Sequence, residues 1–264
     1  MKTENYKILV LIIVAGLAVL TTKTFLSSKY SQKTEACNVA GIKINGYLGS
    51  SAGQIIDGEE VETSSDEIVH KLLSANENPN IKAVLVSIDS LGGNIYAGEE
   101  IANALRNHIN KPSIAVIRSV GLSASYLAAT GADAIYASRM SSVGDIGITQ
   151  SYFDQTEKDK TEGYKYVEIT STKYKDVGNP SRPLSREEKE LWVESVKKDH
   201  DIFVAEVAEN RELFEGDVAE IANGLSYNGK EALEYGLIDG IRDTIFAINQ
   251  LTETIGEKAV VCWE

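Results

Sequence analysis

An α/β fold with a mostly parallel sheet is what this 264-residue chain predicts, on three observations. The run AVLVSI at 83–88 is short and almost continuously apolar, as expected of a strand buried on both faces. Further strand patterns at 113–117 and 134–137 alternate with helical patterns at the intervals of βαβ units. The chain is 43% hydrophobic with four prolines, enough apolar surface to form a core and to exclude disorder.

The first 30 residues carry Lys2, Lys7, Lys23 and Lys29 against Glu4 alone. Between Lys7 and Lys23 the chain reads ILVLIIVAGLAVLTT, 15 uncharged residues, about 22 Å of helix. Flanking lysines that snorkel extend that reach toward a full span. A cleaved signal peptide competes with an uncleaved anchor, and the anchor is preferred because no small-x-small site follows Leu20. The expectation is one N-terminal transmembrane helix within 1–30, then a single domain over 31–264 that begins with a polar linker.

In that domain, 39–47 reads as a strand, and Ser64-Ser65-Asp66-Glu67 is a capping box before a helix with Ile68, Val69, Leu72 and Leu73 on one face. The strand at 83–88 ends in Asp89-Ser90-Leu91-Gly92-Gly93, and a helix with Ile95, Ile101, Ala102 and Leu105 follows. After the strand at 113–117 come a helix from about 123 to 130 and a strand at 134–137. A long helix is expected at 185–210, and shorter ones at 217–223, 228–235 and 243–252.

The net charge of −13 argues against nucleic acid, whose binders present a basic footprint. Cys37 and Cys262 make neither a disulfide scaffold nor a four-ligand zinc site, and His70, His108 and His200 show no ligand spacing. No metal and no cofactor is expected. In an oxidising compartment the two cysteines could pair if the fold brings their Cα atoms within about 7 Å.

Three segments could carry chemistry. Gly92-Gly93 ends a buried strand, where open α/β sheets place their sites and where bare N–H groups can approach a ligand oxygen; a plain structural turn explains the pair equally well. Val120-Gly121-Leu122-Ser123-Ala124-Ser125-Tyr126 puts a serine at a helix N-terminus, either as a cap or as a nucleophile. Ser171-Thr172-Lys173-Tyr174-Lys175-Asp176 is a polar loop whose lysines are ordinarily solvated. No histidine has a suggestive context, so a lysine is the remaining candidate base.

Together and in this order, from about Val39 to Gly240, these segments resemble the signal peptide peptidase A family, membrane-anchored serine proteases of ClpP/crotonase fold. Ile88 to Gly93 is similar to that family's strand ending in x-Ser/Thr-Pro-Gly-Gly, with Leu91 in place of proline. Leu122-Ser123-Ala124-Ser125-Tyr126 is similar to Ala-Ser-Gly-Gly-Tyr, and Ser171 to Asp176 to Ser-Gly-x-x-Lys-Asp. Asn228-Gly229-Lys230-Glu231-Ala232 through Gly236-Leu237-Ile238-Asp239 is similar to the family's closing Thr-Gly-x-x-Ala-x-x-x-Gly-Leu-Val-Asp.

The resemblance implies a repeated ββα spiral and a Ser-Lys dyad, with Ser123 as nucleophile ahead of Ser125 and Lys175 as general base ahead of Lys173. It also implies oxyanion donors at the Gly93 and Ala124 N–H groups. Asp145, in Val143-Gly144-Asp145-Ile146-Gly147-Ile148, stands where the family has a serine that hydrogen-bonds the lysine. Either Asp145 orients Lys175, or it points elsewhere and Ser142 is the partner. For Lys175 to act near neutral pH its pKa must fall from about 10.4 to roughly 7, a cost of about 4 to 5 kcal/mol that burial can supply. Peptide substrates, a homo-oligomer, and a single-pass cell-membrane protein with its domain on the extracytoplasmic side are the further implications. A stomatin-associated protease of the same fold, a crotonase-type acyl-CoA enzyme and a non-catalytic scaffold are the rival readings.

Overall fold

A computed structural model describes residues 37–56 and 58–263. The expected membrane helix and the domain boundary at 30/31 lie outside the described residues. Among those described, no helix is long and apolar enough to cross a membrane.

The core is a sheet whose central strands are β1 (Val39–Gly49), β4 (Ala83–Gly93) and β5 (Ser113–Leu122). Around them lie β2 (Ile55–Ile56), β3 (Glu59–Ser64), β6 (Ala134–Ala137), β7 (Ser142–Gly144), β8 (Ser226–Asn228), β9 (Gly240–Ile241) and β10 (Val261–Trp263). The order is β2-β3-β1-β4-β5-β6-β9, with β10 added to β1 and β7 bridging β5 and β8. Pairings are parallel except β2 with β3 and β7 with β8. Alternation along β4 shows why its sequence is apolar throughout. Val84, Val86 and Ile88 enter one core cluster and Ala83 and Leu85 the other, the period-two consequence of the pleat in a strand covered on both faces.

The helices are α1 (Ser65–Glu77), α2 (Ile95–Asn103, continued by a π turn to His108), α3 (Ala124–Thr130), α4 (Thr156–Glu162), α5 (Arg186–Arg211), α6 (Glu215–Ile221), α7 (Gly229–Glu234) and α8 (Thr244–Ile255). The Ser64 hydroxyl accepts from the Glu67 N–H at 3.4 Å, which is the serine half of the capping box expected at α1. At α5 both halves of a capping box are present, Ser185 with the Glu188 N–H and the Glu188 carboxylate with the Ser185 N–H.

One expectation is corrected. Residues 118–122 were expected as a connection after a strand ending at 117, yet β5 continues through Leu122. Its first half pairs with β6, and Val120, Gly121 and Leu122 pair with Ser142, Val143 and Gly144 of β7. The strand changes partners midway, so its far end is held by a ladder of three residues that local apolar pattern does not announce. The segment ending at Ser123 is thereby fixed on the sheet.

Cys37 and Cys262 form a disulfide with Cα atoms 5.6 Å apart, fastening β10 beside the start of β1.

Candidate active site

Ser123 joins β5 directly to α3 with φ 51° and ψ −126°. A non-glycine residue at positive φ is held there only by its surroundings and costs roughly 1–3 kcal/mol. Two backbone bonds do the holding: the Ser123 N–H donates to the Gly144 carbonyl at 2.8 Å, and the Leu127 N–H donates to the Ser123 carbonyl at 3.0 Å. A sharp strand-to-helix turn of this kind lifts a serine hydroxyl above the sheet.

The facing turn is the end of β4. Gly92 has φ 104° and Gly93 φ 146°. A Cβ on Gly92 would fall 2.7 Å from the Leu122 carbonyl oxygen and 2.8 Å from Ser123 Cβ, and one on Gly93 would fall 2.1 Å from the Leu48 carbonyl oxygen. Two glycines are therefore required for β4 to end in contact with both Ser123 and β1.

Ser125 is fully buried, accepts from the Leu122 N–H at 2.9 Å, and lies 2.8 Å from the carbonyl oxygens of Ser90 and Leu122. Its hydroxyl buckles β4 to the Ser123 turn, which leaves Ser123 as the serine open to a ligand.

A cleft of about 1010 Å³ opens above this turn, and Tyr47, Gly93, Asn94, Ser123, Asp145 and His200 are among the residues that line it. Ala124 is buried at the first position of α3 beneath Ser123. Asp145 also has positive φ, 52°, with its N–H donating to the Leu225 carbonyl. Burial pushes its carboxyl above the usual carboxylate range. Ser142 is half-buried in β7 and is not among the lining residues; nor is Lys175.

No residue of the lysine segment 171–176 is among those that line the cleft. Lys173 is ion-paired with Glu187 at 2.6 Å, and that carboxylate holds its ammonium above the ordinary lysine range. A lysine so stabilised in its charged form is a poor base. Lys175 is exposed. The single chain thus brings Ser123, Gly93 and Asp145 to one cleft and leaves both lysines outside it.

His200, on α5, is the lining residue that its sequence context did not single out. Its Nε2 is 2.8 Å from the Ala222 carbonyl and its Nδ1 is 3.9 Å from Asp201. No local motif marks it; a long helix that happens to pass the cleft is a tertiary fact.

Residues 106–258 match peptidase family S49 and residues 41–144 match the Clp protease family. The chain belongs to peptidase family S49. Among its relatives, a Methanocaldococcus jannaschii protein named as a protease, MJ0651, is 30% identical over 196 residues, 73% of this chain and 63% of its own length. The chloroplastic serine protease SPPA of Arabidopsis thaliana is 30% identical over 201 residues, 75% of this chain and 28% of its own length. The chain therefore spans less than two thirds of these relatives. In fold it is similar to the 1510-N membrane-bound stomatin-specific protease, solved as a lysine-to-alanine variant with a substrate peptide, at 15% identity and TM-score 0.57 over 87% of this chain and 93% of that one. The expected ClpP-like architecture with a mostly parallel sheet is the one observed.

Proposed function

We propose that the chain is a membrane-tethered serine endopeptidase of the S49 family in which Ser123 attacks the scissile carbonyl and Lys175 accepts its proton. The observation that carries this reading is the strained Ser123 turn, which lines one cleft together with Gly93. As the Ser123 oxygen adds to the carbonyl carbon, negative charge moves to the carbonyl oxygen, where the Gly93 and Ala124 N–H groups are the assigned donors. The proton taken by neutral Lys175 returns to the departing amine, and water then releases the acyl group by the same route.

An exposed Lys175 serves this chemistry when a second copy of the chain presents it. A homo-oligomer is therefore part of the reading, and it screens the site so that short apolar peptides, such as signal-peptide remnants, are the substrates. The Cys37–Cys262 disulfide supports placement of the domain on an oxidising, extracytoplasmic side of the cell membrane, with the 1–30 segment as tether.

His200 supports a second reading, in which the base is the imidazole that lines the cleft with Ser123. Hydrolysis of a fluorogenic apolar peptide by wild type, Ser123→Ala, Lys175→Ala and His200→Ala separates the two. The Ser-Lys reading expects the first two variants to lose at least 1,000-fold in kcat and His200→Ala to retain most of it. Activity that survives Lys175→Ala and disappears in His200→Ala would transfer the role.

A further inference from the structure

The exposed Lys175 stands in a frame of anchored neighbours. Lys173 and Tyr174 both bind the Glu187 carboxylate. On the other side, the Asp176 carboxylate accepts from Tyr166 Oη at 2.5 Å, Asn179 Nδ2 at 3.0 Å and Arg182 Nε at 3.1 Å. Arg182 then turns its remaining donors elsewhere: Nη2 to the Asp176 carbonyl at 2.9 Å and to Glu188 Oε1 at 2.7 Å, and Nη1 to Glu188 Oε2 at 3.0 Å. Glu188 is the residue that closes the α5 capping box through the Ser185 N–H at 2.8 Å.

The residues flanking Lys175 are thus fastened to two successive carboxylates in the first turn of α5. The fork on Glu188 is bidentate, the geometry that a planar guanidinium satisfies and an ammonium does not. Side chains of Arg182, Asp176 and Glu188 are 20%, 17% and 8% exposed, so the network is shielded where ordinary surface pairs are not. The same helix reaches the cleft at His200, and a continuous α-helix transmits position along its length.

We propose that Arg182 is a positioning residue for the catalytic lysine, locking the backbone at Asp176 to α5 so that Lys175 is held at a fixed place on its own chain for presentation to Ser123 of a second copy. This rests on Lys175 being the base. Arg182 touches neither substrate nor Ser123; it acts through the lysine, and misplacing a reacting group by an ångström costs on the order of 100-fold.

The full-length chain in detergent is assayed with a fluorogenic apolar peptide, and Ser123 reactivity is read as the rate of labelling by a fluorophosphonate. Arg182→Gln is expected to lower kcat 10- to 100-fold with KM within twofold, and Arg182→Lys to recover less than a third of the loss. In a Lys175→Ala background, Arg182→Gln is expected to cause no further fall in labelling rate. If Arg182→Gln does not fold, judged by its thermal transition, Asp176→Asn is measured by the same criteria. Full kcat in the folded variant, with Lys175→Ala inactive, overturns the positioning role and leaves the dyad standing. An equal further loss in the Lys175→Ala background overturns it by showing that Arg182 acts on the fold at large. Full activity of Lys175→Ala removes the dyad itself, and the positioning role with it.

Discussion

Gly92 and Ser123 approach so closely that a methyl group on residue 92 would sit 2.8 Å from Ser123 Cβ. The end of β4 is in this way part of the wall that holds the serine turn. Gly92→Ala combines that overlap with a backbone φ of 104° that alanine rarely adopts. The expected result is at least a 100-fold loss of peptide hydrolysis and of fluorophosphonate labelling at Ser123, with secondary structure retained by circular dichroism.

Strain at Ser123 predicts an opposite movement of stability and activity. Ser123→Gly relieves a positive-φ conformation worth roughly 1–3 kcal/mol, offset by the ~0.5–1 kcal/mol entropy cost of glycine. A gain of about 1 kcal/mol in urea unfolding is expected, with activity abolished. Ser123→Ala keeps its Cβ and gains less, so the difference between the two variants isolates the backbone contribution.

Asp145 carries a carboxyl whose pKa burial has raised above 3.8. An acid that is harder to ionise in the folded state weakens folding as pH climbs through the unfolded-state pKa to the folded one, and the penalty persists above. Asp145→Asn, which tolerates the same backbone region, is expected to raise the urea midpoint at pH 7 and to leave it nearly unchanged at pH 3. Equal midpoints at pH 7 would mean that a cation from another copy compensates the charge in solution.

Glu188 behaves the other way. Its hydrogen bonds to Arg182 and to the Ser185 N–H hold its pKa at about 2 against an ordinary 4.5. A depressed carboxylate contributes stability that is complete above the unfolded pKa and is lost as pH falls from about 4.5 toward 2. Thermal melts across that window are expected to show a decline that is shallower in Glu188→Gln, whose midpoint is already lower at pH 7.

Reduction of Cys37–Cys262 releases a loop closed over 225 residues. Chain entropy alone sets an upper figure of about 5 kcal/mol for such a loop. Cys262→Ser is expected to lower the guanidinium midpoint measurably and to match the reduced wild type.

Most of the fold was legible in the sequence because β4 and β5 must be apolar on both faces and α1, α2, α5, α7 and α8 carry their own caps. Ser123 and Gly93 could be singled out because the strand-to-helix turns that hold them leave glycine and small-residue signatures. The partner change within β5 could not be read, since β7 contributes only a three-residue ladder whose residues gain their meaning from position. His200 was missed for the same reason: nothing near it in sequence records that α5 passes the cleft. Conversely, the loop at 171–176 was found from a motif, but no motif states that Arg182, six residues beyond Asp176, closes the frame around Lys175.

The bond between Cys37 and Cys262 turns the chain between them into a covalent ring. The exposed stretch around Tyr164, Val167 and Ile169 is the kind of surface at which proteases nick folded domains. A single cut there opens the ring without dividing it. Both fragments stay attached until a reductant frees the pieces.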